Sequence, residues 1–208
     1  MSTEEFRAIL ITASVVIGLL SLKSFLRQYP TFLQCISRWK GAFSLQHSLG
    51  DARDRDILAI ICLLPFAIII DKYSVYDADF LGSVPELLRI PSIFGGAILL
   101  AMLRRALGPT HRRYHREQVL TSVRSMYTHF IVLVTFLIGT VLILEAFNCS
   151  AVTIKMLCII EIAFMELISM THTAQILGSF CHGIETFLYL CALEIIPTAL
   201  IVVSAAVL

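Results

Sequence analysis

The sequence predicts an all-α protein, a polytopic transmembrane helical bundle of about six spans. Of its 208 residues, 58% are hydrophobic, and the mean hydropathy is +0.86. Soluble domains contain roughly 45–50% apolar residues. The apolar residues also gather into six stretches, with Lys and Arg concentrated in alternate gaps between them. We therefore expect residues 1–208 to form a single membrane-embedded domain with the lipid bilayer as its solvent.

Each predicted span follows from the length of its apolar stretch. A helix needs about 20 mostly apolar residues to cross about 30 Å of hydrocarbon. The spans predicted on this basis are residues 6–25, 56–76, 90–107, 127–147, 151–170 and 187–207. The second is the weakest, because its uncharged part, residues 57–70, covers only about 21 Å of helix. The fourth and fifth are joined by three residues, which predicts antiparallel neighbours.

The distribution of basic residues predicts the orientation. With six spans, 12 of the 16 Lys and Arg residues fall on one side of the membrane. If the second stretch did not cross, the division would be 7 against 9. The positive-inside rule then places the 12 in the cytoplasm and both termini in the periplasm of a bacterial inner membrane. The basic orientation loop contains Arg104, Arg105, Arg112, Arg113 and Arg116.

Two cytoplasmic segments have recognisable patterns. Phe32, Ile36, Trp39 and Phe43 recur at helical spacing, which predicts an in-plane amphipathic helix at the membrane surface. The basic run that follows the third span is typical of contact with anionic headgroups. Because no stacking platform or binding module accompanies that run, nucleic acid is not an expected partner.

Charged side chains in hydrocarbon cost a few kcal/mol each, so they usually face the bundle interior and have a partner. Glu161 and Glu166 lie in the fifth span, and Glu194 lies in the sixth, three residues before the helix-interrupting Pro197. These residues form a candidate intramembrane polar site that could bind a cation or relay protons. Alternatively, each carboxyl is protonated or hydrogen-bonded and simply holds neighbouring helices together.

Three histidines lie at the cytoplasmic ends of predicted spans: His129, His172 and His182. Two imidazoles at equal depth on facing helices could ligate a haem, and clustered imidazoles could hold a metal. Loop histidines at a polar interface are the commoner case, and this is the interpretation we adopt, with no cofactor and no metal expected. No catalytic motif such as G-x-S-x-G or H-E-x-x-H is present.

Residues 187–197, FLYLCALEIIP, closely resemble the C-terminal signature of a family of multi-span inner-membrane proteins from Bacteroidota, domain of unknown function 4271. The resemblance extends more loosely over the chain in length and span pattern. It implies a location in the cytoplasmic membrane of a Gram-negative bacterium, with no established activity to transfer. Glu194 and Pro197 would be family positions of unassigned role.

The function expected from the sequence is a non-enzymatic structural or interaction subunit that contacts another membrane protein. A small ion-coupled transporter or permease that uses the intramembrane carboxylates is the alternative. A haem-binding or redox membrane subunit is a third hypothesis, which rests on the three histidines.

Overall fold

The computed structural model describes residues 3–38, 49–76, 84–107, 116–179 and 183–191, and these are helical with short turns and without strands. The all-α prediction is confirmed. Each of the first five predicted spans overlaps one helix, and the sixth, residues 187–207, is described only at residues 187–191. The helices are α1 (Thr3–Ser37), α2 (Leu49–Lys72), α3 (Glu86–Leu107), α4 (Arg116–Ala146), α5 (Ala151–Gly178) and α6 (Gly183–Leu190).

The central element is α4, which packs against α5, α2 and α1. Its middle contributes the fully buried side chains of Ile131, Val132 and Leu137 to the main apolar core. Leu58 of α2 and Cys158 of α5 belong to the same cluster. The core therefore lies around α4. Many apolar side chains of α1 and α5 are exposed on the outside of the bundle.

The turn between α4 and α5 is specified by local chemistry. Asn148 adopts φ 51°, a left-handed conformation that Asn tolerates better than most residues. The amide of Asn148 donates to the Glu145 carbonyl at 2.9 Å, and the amide of Cys149 donates to the Leu144 carbonyl at 3.0 Å. These bonds form a Schellman cap. Ser150 then caps α5 by accepting from the Thr153 amide. The predicted antiparallel pairing of α4 and α5 is confirmed.

The predicted in-plane helix is wrong for the residues that the structure describes. Phe32 and Ile36 belong to α1, which continues through Pro30 to Ser37 without a separate helix beginning there. Phe32 is fully buried in the core cluster, so its apolar side chain is satisfied by packing and not by headgroups. Trp39 and Phe43 lie outside the described residues.

Two of the described helices, Glu5–Ser37 and Thr121–Ala146, are long and apolar enough to cross a membrane by length and composition. In α2, Asp51, Arg53, Asp54, Arg55 and Asp56 all precede the apolar run. Many large apolar side chains of α1 and α5 are exposed, for example Leu20 at 80% and Phe164 at 61%. Surfaces of this kind mark contact with lipid or with another protein.

Two polar belts tie α1 to α2 at opposite ends of their apolar stretches. In the first belt, Arg7 Nη2 lies 2.8 Å from Asp71 Oδ2. In the second, Arg27 Nη2 lies 2.7 Å from Asp54 Oδ2, and the Ser24 hydroxyl donates to the same oxygen at 3.3 Å. At 1.5 Å per residue, the belts are about 30 Å apart along α1 and about 25 Å apart along α2. This spacing is close to the hydrocarbon thickness of a bilayer.

The first belt extends to α4. The Lys72 ammonium and the Tyr73 hydroxyl both donate to Glu145 Oε1 at the end of α4. Glu145 is 40% exposed in this belt, as expected for a carboxylate near the end of a helix at headgroup depth. Asp71 is only 5% exposed, against the guanidinium of Arg7.

Candidate functional site: a buried polar seam between α4 and α5

A row of polar side chains lines the face of α4 that the bundle covers. They span an arc of about 120° at 100° per residue and are each at most 4% exposed. On α5, Ser169 and Thr173 are equally buried. We call these residues, together with His172, the polar seam. Its α4 members are Thr121, Ser122, Ser125, Thr128 and His129.

Two histidines of the polar seam meet across the α4–α5 interface. His129 Nε2 lies 3.1 Å from His172 Nδ1, and the rings are edge to face with centroids 5.2 Å apart. The other ring nitrogen of His129, Nδ1, lies 2.7 Å from the Ser125 carbonyl oxygen one turn earlier in α4. Both nitrogens of the buried His129 are therefore used in hydrogen bonds.

These contacts determine the tautomers of the neutral pair. A carbonyl oxygen only accepts, so His129 Nδ1 carries a proton and donates it to Ser125. In a neutral imidazole, Nε2 of His129 is then an acceptor, and His172 Nδ1 must be the donor in the second bond. Nε2 of His172 is the one ring nitrogen that neither bond uses. Burial lowers the pKa of the His172 imidazole and so favours the uncharged form.

A second polar contact joins the same helices nearer their connecting turn. The Thr140 hydroxyl on α4 donates to Glu161 Oε1 on α5. Eleven positions separate Thr140 from His129, and eleven separate His172 from Glu161. The two contacts therefore share one antiparallel register and lie about 16 Å apart. Glu161 and the histidine pair do not form one site.

Three buried polar atoms along this interface have no hydrogen-bond partner among the described residues. They are Ser122 Oγ, Thr128 Oγ1 and Glu161 Oε2. Leaving a buried donor or acceptor unsatisfied costs about 1–3 kcal/mol. Such atoms usually bond to water or to an ion, and a carboxyl oxygen can also carry a proton.

The structure describes two of the three predicted carboxylates, and it places them on different faces of α5. Glu161 lies on the α4–α5 interface, and Glu166 is half-buried five positions later on the same helix, about 140° around it. Glu194 and Pro197 lie outside the described residues, as does His182. Arg112 and Arg113 also lie outside them. For three residues, Arg104 and Arg105 at the end of α3 and Arg116 at the start of α4, the structure describes the helical backbone but not the side chains.

The interpretation of His129 and His172 as loop residues at a polar interface is wrong. α4 begins at Arg116, so His129 lies well inside the helix and is 4% exposed. His172 lies inside α5, which continues to Gly178. The pair meets across facing helices, as the haem hypothesis requires. In this arrangement, however, His129 has no ring nitrogen left for an iron, because one bonds to a carbonyl and the other to His172.

Sequence reasoning missed several polar partners. Thr140 was not selected, although a hydroxyl at mid-helix depth opposite a carboxylate is a natural donor. The seam hydroxyls at 121, 125 and 128 carry a helical period that could have been recognised. Arg55 is 1% exposed, and its Nη2 lies 2.8 Å from Asp56 Oδ1. Nothing in the local sequence distinguishes Arg55 from the exposed Arg53.

No family model, no curated protein and no solved structure matches this chain. The geometry of the described residues is therefore the basis of the functional argument.

Proposed function

We propose that this protein is a multi-pass integral membrane protein with six spans and both termini on the periplasmic side. The spacing of the two polar belts carries the proposal. Charged pairs occur at both ends of α1 and α2, about 25–30 Å apart, and the surface between them is rich in exposed apolar side chains. A bilayer would solvate this pattern well, because charges would meet the headgroups and apolar side chains the hydrocarbon.

Alkaline carbonate extraction and reporter fusions test this proposal separately. The polypeptide should remain in the membrane pellet at high pH. An alkaline phosphatase fusion at residue 148 or at residue 208 should be active, and one at residue 110 should be inactive. Release into the carbonate supernatant would contradict membrane embedding. Inactive phosphatase at residues 148 and 208 would contradict the orientation alone.

Its role, we infer, is that of a non-enzymatic structural or interaction subunit. Several polar groups between α4 and α5 are joined to each other or to a backbone carbonyl, as in the Ser125–His129–His172 series and the Thr140–Glu161 contact. Interhelical hydrogen bonds of this kind fix helix register within a membrane. The exposed apolar faces of α1 and α5 are then available to lipid or to another membrane protein.

Crosslinking in native membranes tests this role. A photoreactive residue at Leu20 on α1 or Phe164 on α5, both strongly exposed, should capture the same partner repeatedly. The same probe at Ile131, which is fully buried, is the control and should capture none. If neither exposed position yields a recurring protein partner, the interaction role is wrong.

A small ion-coupled transporter is the second candidate, and one observation favours it. Glu161 Oε2 is buried without a hydrogen-bond partner among the described residues, and a bound cation or a proton would satisfy it. Against transport, the histidine hydrogen bonds end at the Ser125 carbonyl, which cannot pass a proton onward. Glu161→Gln and Glu194→Gln should each abolish ion-dependent uptake into proteoliposomes if the protein is a transporter. The control Glu145→Gln, in the first belt, should not.

The resemblance of residues 187–197 to the Bacteroidota family is part of the same proposal. It supports a bacterial inner-membrane location but adds no activity. Residues 187–191 lie at the end of α6 and directly after it, and the rest of the signature lies outside the described residues.

A further inference from the structure

A long groove runs between α1, α2 and α4, on the side of α4 away from the polar seam. It encloses about 500 Å³, within the roughly 300–1,000 Å³ range of small-molecule sites. Its walls are almost entirely hydrocarbon. Typical lining residues are Val15, Gly18 and Leu22 of α1, Ile61 and Pro65 of α2, and Ile138 of α4.

Two of the four hydroxyls that line these walls are already hydrogen-bonded within their own helices. The Ser21 hydroxyl donates to the Ile17 carbonyl at 2.9 Å, and the Thr135 hydroxyl donates to the Ile131 carbonyl at 2.8 Å. Both therefore bond to their own helices. A polar solute in the groove would lose its bonds to water without replacement, at a cost of about 1–3 kcal/mol for each group. The groove consequently suits an apolar chain.

The groove has the width of a single hydrocarbon chain and is too narrow for an α-helix. On α1 the lining runs from Ile11 to Phe25, about 21 Å of helix. Spread over that length, the volume corresponds to a width of about 5 Å for the centre of a water-sized sphere and about 8 Å between the walls. That width admits a hydrocarbon chain, whose carbons contact their neighbours at about 4 Å. An α-helix with side chains is about 10–12 Å across and would not enter.

One end of the groove carries a charge. Lys72 and Tyr73 line it where it reaches the first belt, and Lys72 is the one cation among the lining residues that the structure describes. The Lys72 ammonium has three N–H donors, and Glu145 Oε1 accepts from it. A phosphate at headgroup depth could use another donor of this ammonium, whose positive charge the Glu145 carboxylate offsets in part.

We propose that this groove binds one phospholipid, with an acyl chain along α1 past Gly18 and the phosphate at Lys72. The inference rests on the membrane embedding proposed above, because only then does the groove open at hydrocarbon depth. Such a lipid would act as a packing element between α1 and α4. It would be held more tightly than the exchangeable lipids on the outer faces of the bundle.

Two glycines provide a matched test. A Cβ at Gly18 would meet nothing within 4 Å, and the same is true at Gly96 on α3, which does not line the groove. Gly18→Leu therefore adds a side chain at the groove wall whose Cβ meets no neighbouring atom, whereas Gly96→Leu adds the same atoms elsewhere. The probe is palmitoyl-oleoyl phosphatidylglycerol, added to purified protein in detergent and counted by native mass spectrometry.

We expect the wild type and Gly96→Leu to retain one lipid, and Gly18→Leu to retain at least ten-fold less. Lys72→Gln should weaken retention of phosphatidylglycerol but not of diacylglycerol with the same chains. If Gly18→Leu misfolds by circular dichroism, Val15→Phe narrows the groove from the same wall and should give the same loss.

Equal lipid retention by Gly18→Leu and Gly96→Leu would overturn the proposal. So would a change from oligomer to monomer in Gly18→Leu without loss of lipid, because the occupant would then be a second copy of the chain. Carbonate extraction of each variant distinguishes failure of the proposed membrane embedding from failure of the proposed lipid site. Release of the wild-type protein from the membrane would contradict the proposed function. A protein that stays embedded, with unaltered lipid retention in Gly18→Leu, would contradict only the lipid site in the groove.

Discussion

The α1–α2 and α4–α5 interfaces connect antiparallel helices by opposite means. Between α1 and α2, ion pairs lie at the two ends, and apolar side chains with a groove fill the distance between them. Between α4 and α5, hydrogen bonds lie within the helices, at His129–His172 and Thr140–Glu161. Polar contacts thus join α1 and α2 only at the ends of their apolar stretches, whereas they join α4 and α5 within the helices.

The two interfaces differ in the contacts that set the register, that is, the alignment of one helix along the other. A one-residue slip of α1 against α2 would keep the apolar contacts and disturb only the belts. The same slip of α4 against α5 would separate both hydrogen-bonded pairs and expose their polar groups to apolar surroundings. We therefore expect α4–α5 to be the more rigid pair and α1 to be the helix that accommodates a lipid. Four predictions test this comparison.

The largest effect is expected for Arg7→Gln. Asp71 is 5% exposed, and the variant would leave its buried carboxylate without a cation. Because Arg7 itself is 38% exposed, the expected loss of unfolding free energy is about 2–3 kcal/mol, at or below the low end for a buried pair. The control Arg27→Gln breaks a pair that is 63% exposed on the arginine side and should cost at most about 1 kcal/mol. Unfolding by SDS titration in mixed micelles measures both, and equal losses would show that the two belts are equivalent.

Next in size is the loss of the histidine bond. His172→Ala removes the donor to His129 Nε2 and leaves a buried acceptor unsatisfied, with an expected loss of about 2 kcal/mol. His172→Asn retains an N–H at the position of Nδ1 and should recover part of that loss. If the alanine and asparagine variants are equally stable, the bond does not contribute.

A smaller effect is expected at the middle of the interface. Thr140→Val keeps the side-chain shape and removes the hydroxyl that donates to Glu161. Interhelical bonds in membranes are typically worth about 0.6 kcal/mol and at most about 1.7, so we expect a loss of about 1 kcal/mol. Thr140→Ser retains the donor and should be close to the wild type. A valine variant as stable as the serine variant would contradict the role of this contact.

The smallest effect is a pH dependence carried by His172. Burial lowers its pKa in the folded protein, whereas the unfolded chain titrates near about 6.5. Above that value, the imidazole is neutral in both states and stability is complete. As the pH falls below it, the unfolded state takes up more protons and stability is lost. The melting temperature should fall less steeply below pH 6.5 in His172→Asn, and identical slopes would exclude His172 as the source.

The helices themselves were predictable from the sequence. Apolar run lengths placed the first five predicted spans on helices, and the three-residue connection at 148–150 predicted the α4–α5 pairing. Most of the sixth predicted span lies outside the described residues. The candidate site was predictable only in part. Glu161 was selected because a carboxylate in an apolar run is costly, but its partner Thr140 was not, since one-dimensional spacing does not show which turn of a neighbouring helix lies opposite.

The predicted positions of side chains were wrong where a helix extends beyond its apolar stretch. α1 continues past Pro30, and α4 begins eleven residues before the predicted span, so side chains expected in loops or at the membrane surface became core residues. Phe32 and His129 are the clearest cases. Burial depends on the neighbours that a helix meets, and hydropathy of the segment alone does not report those neighbours.

By itself, the sequence determined that the chain is helical and where its apolar stretches begin and end, because helix period and hydrophobic burial are local properties of the chain. Only the tertiary structure decided that Arg7 pairs with Asp71, that His129 pairs with His172, and that a groove lies beside Gly18. These contacts join residues more than 40 positions apart. They depend on how helices pack, and many packings satisfy the same hydropathy pattern.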